Sequence, residues 1–230
     1  MTRRILVLGI GNILWADEGF GVRAVEELNR QYQFDSNVTL MDGGTQGLYL
    51  VQHVRETDIL IVFDAIDYGL VPGTLKLIEG DDVPRFMGAK KMSLHQTGFQ
   101  EVLSTAELLG DYPEHLLLIG VQPEVLEDYG GSLRPVVKAQ IQPAIEVALA
   151  FLEKHGIQAE RREAVIADSV SITSRALELE RYEQERPSSE AACRVGDARI
   201  LNDARIEFSP QQLLEETGRL QVDVDHRGKY

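Results

Sequence analysis

An α/β domain, with a mostly parallel sheet packed between layers of helices, is what this sequence predicts. Two patterns carry the expectation. Short apolar runs alternate with helical periodicity along the first two-thirds of the chain, and most of those runs are continuous, as in strands buried on both faces. Composition agrees: of 230 residues, 43% are hydrophobic and 26% charged, enough apolar material for a sizeable core and too much for wholesale disorder. At a rough prior of ~150 residues per domain, the length fits one compact domain with an appendage.

The elements follow in order. Ile5 to Ile10 is an unbroken apolar run stopped by Gly11-Asn12 and reads as a doubly buried strand. Asp17 to Tyr32 places Val22, Val25, Leu28 and Tyr32 on one helical face, with acidic residues in its first turn. Val38 to Met41 is a second strand, ended by Asp42-Gly43-Gly44, and Leu48 to Val54 a helix. Ile59 to Phe63 is a third strand, ending in Asp64. Thr74 to Ile78 follows Pro72-Gly73 too closely to allow a crossover helix, so it is expected to pair antiparallel. Phe99 to Leu109 is helical, Leu116 to Val121 another buried strand, and Val136 to Lys154 a long amphipathic helix. Beyond it, Ser171 to Tyr182 fits a helix and Arg199 to Phe208 a strand or an extended arm.

Charge is densest in the last third. A helix-ending signal at Lys154-His155-Gly156 marks the expected boundary between an α/β domain, residues 1–156, and a charged C-terminal extension, residues 157–230. Thirty-seven acidic residues against 23 basic ones give a net charge of −14, which argues against nucleic acid or an anionic membrane surface as partner. The single cysteine, Cys193, excludes an intramolecular disulfide framework and a cysteine-cluster metal site. No apolar run approaches the roughly 20 residues of a membrane span. The stretch before Asn12 is too short for the apolar part of a signal peptide, so a reduced, cytoplasmic protein is expected.

In open α/β sheets, ligands bind beyond the carboxyl ends of the strands. Three acidic segments should converge there: Asp17-Glu18 after the first strand, Asp42 after the second, and Asp64 to Asp67 after the third. Carboxylates gathered on one rim are costly unless they share a cation or a proton. Asp17 reads as a helix cap. Glu18 differs, because Gly19 and Gly21 leave space beside its side chain where stability alone would favour helix formers. Asp64 fits either a strand-ending residue bonded to nearby N–H groups or a site carboxylate. Gly9-x-Gly11 with Asp42 echoes a dinucleotide fingerprint, but Leu14 stands where the third glycine belongs, and the acidic pair opposes a pyrophosphate. Of five histidines, His53, His115 and His155 fit surface roles and His226 lies in the extension. His95 sits in a loop, Lys90 to Gly98, that leads into a helix, and its role depends on whether it meets the carboxylates. Cys193 and the serines lack any triad context.

With these residues in view, the chain resembles the hydrogenase maturation proteases, which trim the C-terminus of the large subunit of nickel–iron hydrogenases. The matching blocks are Gly9 to Leu14 with Asp17 to Val22, Asp42 to Thr45, Asp64 to Ile66, Ser93 to Gln96, and Gly120 to Pro123. The strings Trp15 to Gly21, Asp64 to Gly69 and Lys90 to Gln96 are similar to the branch serving uptake hydrogenases. The resemblance spans Arg4 to about Gly156 and implies a twisted sheet of about five strands between helices. It implies further that Glu18, Asp64 and His95 bind a metal ion, with Asp42 a further carboxylate near the site. The implied substrate is a nickel-loaded large-subunit precursor.

Two carboxylates and an imidazole form a hard-to-borderline donor set without thiolate, so nickel is expected to arrive already held by the precursor. Two routes to hydrolysis stay open: a metal-polarised carbonyl with bound water, or Asp42 or Asp64 as general base. A shared-proton pair would need close carboxylates, which spacing does not reveal. Other classes that would use these residues are a nickel-binding escort protein and, further off, a dinucleotide-binding oxidoreductase.

Overall fold

The computed structural model describes residues 3–87, 94–163 and 171–187, with the side chains of residues 85–97 and 175 outside that description. Strand β1 (Ile5–Ile10) is buried at every residue. A 3-10 turn at Ala16–Gly19 leads into α1 (Phe20–Gln31), which buries Val22, Val25 and Leu28. The chain leaves α1 at Tyr32 in extended conformation and forms a short strand, β2 (Tyr32–Gln33). Then come β3 (Val38–Gly44), α2 (Val51–Arg55), β4 (Ile59–Ala65), β5 (Leu75–Glu79) and α3 (Asp82–Met87). The remaining elements are α4 (Leu94–Leu108), β6 (His115–Val121), α5 (Pro135–Lys138), α6 (Ile141–Lys154), β7 (Glu160–Arg161) and α7 (Leu179–Glu185).

Five strands form one sheet in the order β3-β1-β4-β6-β5. β1 pairs in parallel with β3 and β4, and β4 with β6. β5 runs antiparallel to β6, with Leu75 opposite Val121, as the short Pro72-Gly73 connection requires. The chain steps from β1 to one side and then crosses to the other, so the order reverses at β1. Loops leaving the carboxyl end of such a strand diverge and open a crevice.

Alternation along the strands divides the core in two. Ile5 and Val7 of β1, Ile61 and Phe63 of β4, and Val38 and Leu40 of β3 belong to the face covered by α1 and α6. Leu6, Leu8, Leu60, Val62 and Met41 belong to the other face, covered by α2 and α4 through Val54, Phe99 and Val102.

Several expectations need correction. The helix expected from Phe99 starts earlier, at Leu94, so His95 lies in the first turn of α4 rather than in a loop. Between Ser171 and Tyr182 the α-helix begins only at Leu179, after a 3-10 turn at Arg175–Leu177. Arg199 to Phe208 lies outside the described residues. Gly156 does end α6, in a left-handed conformation (φ +80°) that suits glycine. The compact unit nevertheless continues past it, through Arg186. Arg162 Nε donates to the carbonyls of Asn29 and Tyr32 at 3.0 and 2.9 Å. Lys138 and Ser132 both donate to the Glu183 carboxylate, at 2.7 and 2.8 Å, and Ile157, Ile172 and Leu179 pack against the core. The extra charge of this segment is thus partly spent on pairing with the domain.

By length and composition alone, Pro135–Lys154 is long and apolar enough, over 20 residues, to cross a membrane. Its apolar side is the one that covers the sheet: Ile141, Ala144, Ile145, Ala148, Phe151 and Leu152 are buried.

Candidate active site

The site is assembled by the loop that follows β1. Gly11 turns there with φ +133°, and a Cβ on it would lie 1.8 Å from the Glu18 carbonyl oxygen, so only glycine fits. The chain folds back over the strand end: Trp15 N–H donates to the Asn12 carbonyl at 3.0 Å and Glu18 N–H to the Trp15 carbonyl at 2.9 Å. Ala16, φ +41°, is the only described non-glycine residue with positive φ, a strained conformation of the kind that collects at functional sites.

Asp17 is not a cap for its own helix. Its fully buried carboxylate accepts N–H groups from Glu124 (2.9 Å), Val125 (2.8 Å) and Arg134 (2.6 Å), all from the segment after β6. Asp17 therefore ties the β1 loop to the β6 loop and sets the position of Glu18 next to it. Asp17→Ala would leave those donors facing a dry pocket, and an expected loss of about 3 kcal/mol in urea-unfolding free energy checks this.

The sequence assigned Gly19 and Gly21 the role of leaving room for the Glu18 side chain; the structure gives Gly21 another. A Cβ on Gly21 would lie 2.2 Å from the Phe63 carbonyl oxygen and 2.3 Å from that of Ile10. The helix backbone itself occupies the space, pressed onto β1 and β4. Glu18 lies in the turn that leads into this helix, and burial there pushes its carboxyl up to about 7.

Asp64 is fully buried at the end of β4, and one of its oxygens accepts the Ala65 N–H at 2.8 Å. It shares the face of Leu60 and Val62, the side covered by α4. Opposite it on β6 is Gly120, over which lies the Tyr68 ring; a Cβ there would come 3.0 Å from the Tyr68 hydroxyl. Burial, and next the charge of Asp64, push the pKa of that hydroxyl up. Asp42 lies across from Gly9 on β3 and shares the face of Val38 and Leu40, the α1 side. Burial raises its pKa, opposed by the Gly44 N–H (2.8 Å) and the charge of Arg23. Asp42 and Asp64 thus sit on opposite faces of strands separated by β1, about 9–10 Å of backbone spacing. A shared-proton carboxylate pair does not form between them in this structure.

His95 stands four residues before Phe99 in the first turn of α4, the helix whose Phe99, Val102, Leu103 and Ala106 are buried. Its imidazole lies outside the described residues. Next to it in the same turn, Gly98 packs against Gly47, with a Cβ 3.3 Å from the Gly47 Cα, which brings the start of α4 to the loop after β3. Among the described residues, no three His, Cys, Asp or Glu side chains stand together as a metal site.

Three residues not singled out in the sequence shape the site. Arg23, buried on α1, donates to Glu26 at 2.9 Å and to the Leu177 carbonyl, and lies over the Tyr182 ring. Gln122 accepts the N–H groups of Tyr68 and Leu70 at 2.8 and 3.0 Å and donates to Asp67 at 2.9 Å, pinning the loop after β4. Tyr68 sits beside Asp64. Tyr68 and Gln122 both fall within the family-like strings, which was the available signal; for Arg23 there was none.

The fold of this chain is shared by solved peptidases. The hydrogenase maturating endopeptidase HybD of Escherichia coli superposes with a TM-score of 0.66 at 43% identity, over 69% of this chain and 98% of that one. HybD of Thermococcus kodakarensis gives a TM-score of 0.54 at 25% identity, over 64% and 98%. The family described as hydrogenase maturation protease matches residues 22–151. The hydrogenase expression/formation protein HupD of Thiocapsa roseopersicina is 64% identical over 197 residues, 86% of this chain and 89% of the relative. The chain belongs to the hydrogenase maturation protease family, and it is a peptidase.

Proposed function

We propose that this peptidase removes a C-terminal peptide from the nickel-loaded large-subunit precursor of an uptake-type nickel–iron hydrogenase, and that Glu18, Asp64 and His95 recognise the nickel. What supports the reading is the family match over residues 22–151 together with the place of Glu18, half-buried in the turn that follows β1, where burial pushes its carboxyl up to about 7. Such a group is poorly solvated as an anion, and a cation brought by the substrate offsets that penalty. The donor chemistry fits: carboxylate and imidazole bind a divalent ion without thiolate, weakly enough that the substrate keeps its metal. The dinucleotide reading finds no support, because acidic residues occupy the turn where a pyrophosphate would need N–H groups.

In hydrolysis, Asp42 takes the role of general base. It accepts a proton from the attacking water and returns it to the leaving amine as the C–N bond breaks. Burial raises the pKa of its half-buried carboxyl, and the Gly44 N–H holds one of its oxygens at 2.8 Å. Asp64, on the far side of β1, orients the substrate; a chain lying across the sheet edge passes both. A reduced, cytoplasmic setting is in keeping with the lone Cys193.

The test uses purified protein and two forms of the precursor, nickel-loaded and nickel-free, with product masses read by mass spectrometry. Loss of one short C-terminal peptide from the loaded form alone is the expected result. No cleavage of either form overturns the assignment, and equal cleavage of both removes the nickel requirement.

A further inference from the structure

Exposed large apolar side chains cluster on this protein. Leu14 and Trp15 follow β1, and Leu48 and Tyr49 follow β3. Leu70 and Val71 follow β4, and Tyr129 and Val136 follow β6. Tyr49 is 85% exposed, Val71 75% and Tyr129 59%. Among the described residues only Leu77, Leu108, Leu109 and Leu177 are exposed elsewhere. Scattered apolar residues on a surface need no explanation, but concentration at the carboxyl edge of one sheet does.

The segments after β1, β4 and β6 are also tied to one another. Trp15 and Tyr129 form a bridge, with ring centroids 5.5 Å apart edge to face, and Gly130 N–H donates to the Leu14 carbonyl at 2.7 Å. Gly73, just past Val71, approaches α5 so closely that a Cβ would lie 2.8 Å from the Val136 carbonyl oxygen. Trp15 stands on the same turn as Glu18, whose N–H donates to the Trp15 carbonyl. Exposed Asp67, Glu124 and Glu127 stand among these loops, on a chain of net charge −14.

We infer that this apolar rim with its acidic interruptions is the docking surface for the folded protein substrate, and that it receives an apolar segment flanked by Lys or Arg. The inference rests on the peptidase reading above. Remote contacts of this kind supply the binding energy that holds a protein substrate while its scissile segment reacts. Aromatic side chains in such a patch are the usual anchors.

The experiment compares wild type with the combined Tyr49→Ser and Val71→Ser variant in the full chain, acting on the nickel-loaded precursor. KM is expected to rise at least about tenfold, with kcat within about twofold and the unfolding midpoint unchanged. In parallel, 5-fluorotryptophan incorporated into the protein labels the single tryptophan, Trp15, and gives one 19F resonance. That resonance should shift on adding unlabelled precursor. An unchanged KM with intact wild-type cleavage overturns this inference alone, whereas a wild type that cuts nothing overturns the peptidase reading beneath it. A resonance that moves with protein concentration before precursor is added puts a second copy on the rim and overturns it too. So does a resonance that solvent quenchers cannot reach in the free protein, since the chain would then cover its own rim.

Discussion

Replacing Glu18 by glutamine is expected to abolish processing and, at the same time, to make the protein more stable at alkaline pH. The first effect follows from removing one of three proposed ligands, and a loss of at least about 100-fold in cleavage rate is anticipated. The second follows from linkage. The carboxyl titrates near 7 in the folded chain against an ordinary value of 4.5, because burial disfavours its charge. Below 4.5 the group is neutral in both states and its contribution to stability is fully present. As pH rises through 4.5 the unfolded chain ionises first, so that contribution falls until the folded group ionises near 7, and then levels off. Glutamine is neutral throughout and escapes this loss. The difference in urea midpoint between variant and wild type, measured with a chelator present, should be near zero at pH 4.5 and positive at pH 8. Other titrating groups cancel in that difference. A variant that is no more stable than wild type at pH 8 would show that Glu18 is not held in a dry setting, and one that still cuts would remove it from the site.

Gly21→Ala carries the largest expected loss of stability. Alanine is the better helix former by up to ~1 kcal/mol, so propensity alone predicts a gain. Contact predicts the reverse. The new Cβ would lie 2.2, 2.3 and 2.7 Å from Phe63 O, Ile10 O and Ile10 N. All three are backbone atoms of central strands and have no side-chain freedom with which to yield. Either α1 lifts from the sheet or the strands part, and a loss of about 4 kcal/mol or more is expected. Gly80→Ala is the reference. Its φ of +58° is unfavourable to alanine, yet nothing lies within 4 Å of the new Cβ. A loss of only about 1–2 kcal/mol is expected there. Urea denaturation of both variants separates close approach from backbone strain; similar losses would refute the packing account.

The fold was legible where local pattern encodes it. Ile5 to Ile10, Ile59 to Phe63 and Leu116 to Val121 are continuous apolar runs because both faces of their strands are covered, and each is a central strand of the sheet. The antiparallel strand followed from the length of one loop. Less visible was where the domain ends. The charged residues after Gly156 read as a solvated extension, but Arg162 and Glu183 find partners on α1 and α5 that no local spacing announces.

The candidate site divides in the same way. The sequence alone determined that acidic residues gather at the carboxyl ends of β1, β3 and β4, because each ends an apolar run and a strand's direction sets which end it occupies. Tertiary structure alone decided what each does. Register put Asp42 and Asp64 on opposite faces, since side chains alternate and one residue of offset reverses the direction. Asp17 became an anchor because its acceptors' partners lie more than a hundred residues away, at Glu124, Val125 and Arg134. Glu18 gained its raised pKa from burial in the folded chain. Local periodicity specifies elements and their buried sides, while the partner and dielectric of a polar group depend on which distant loops close around it.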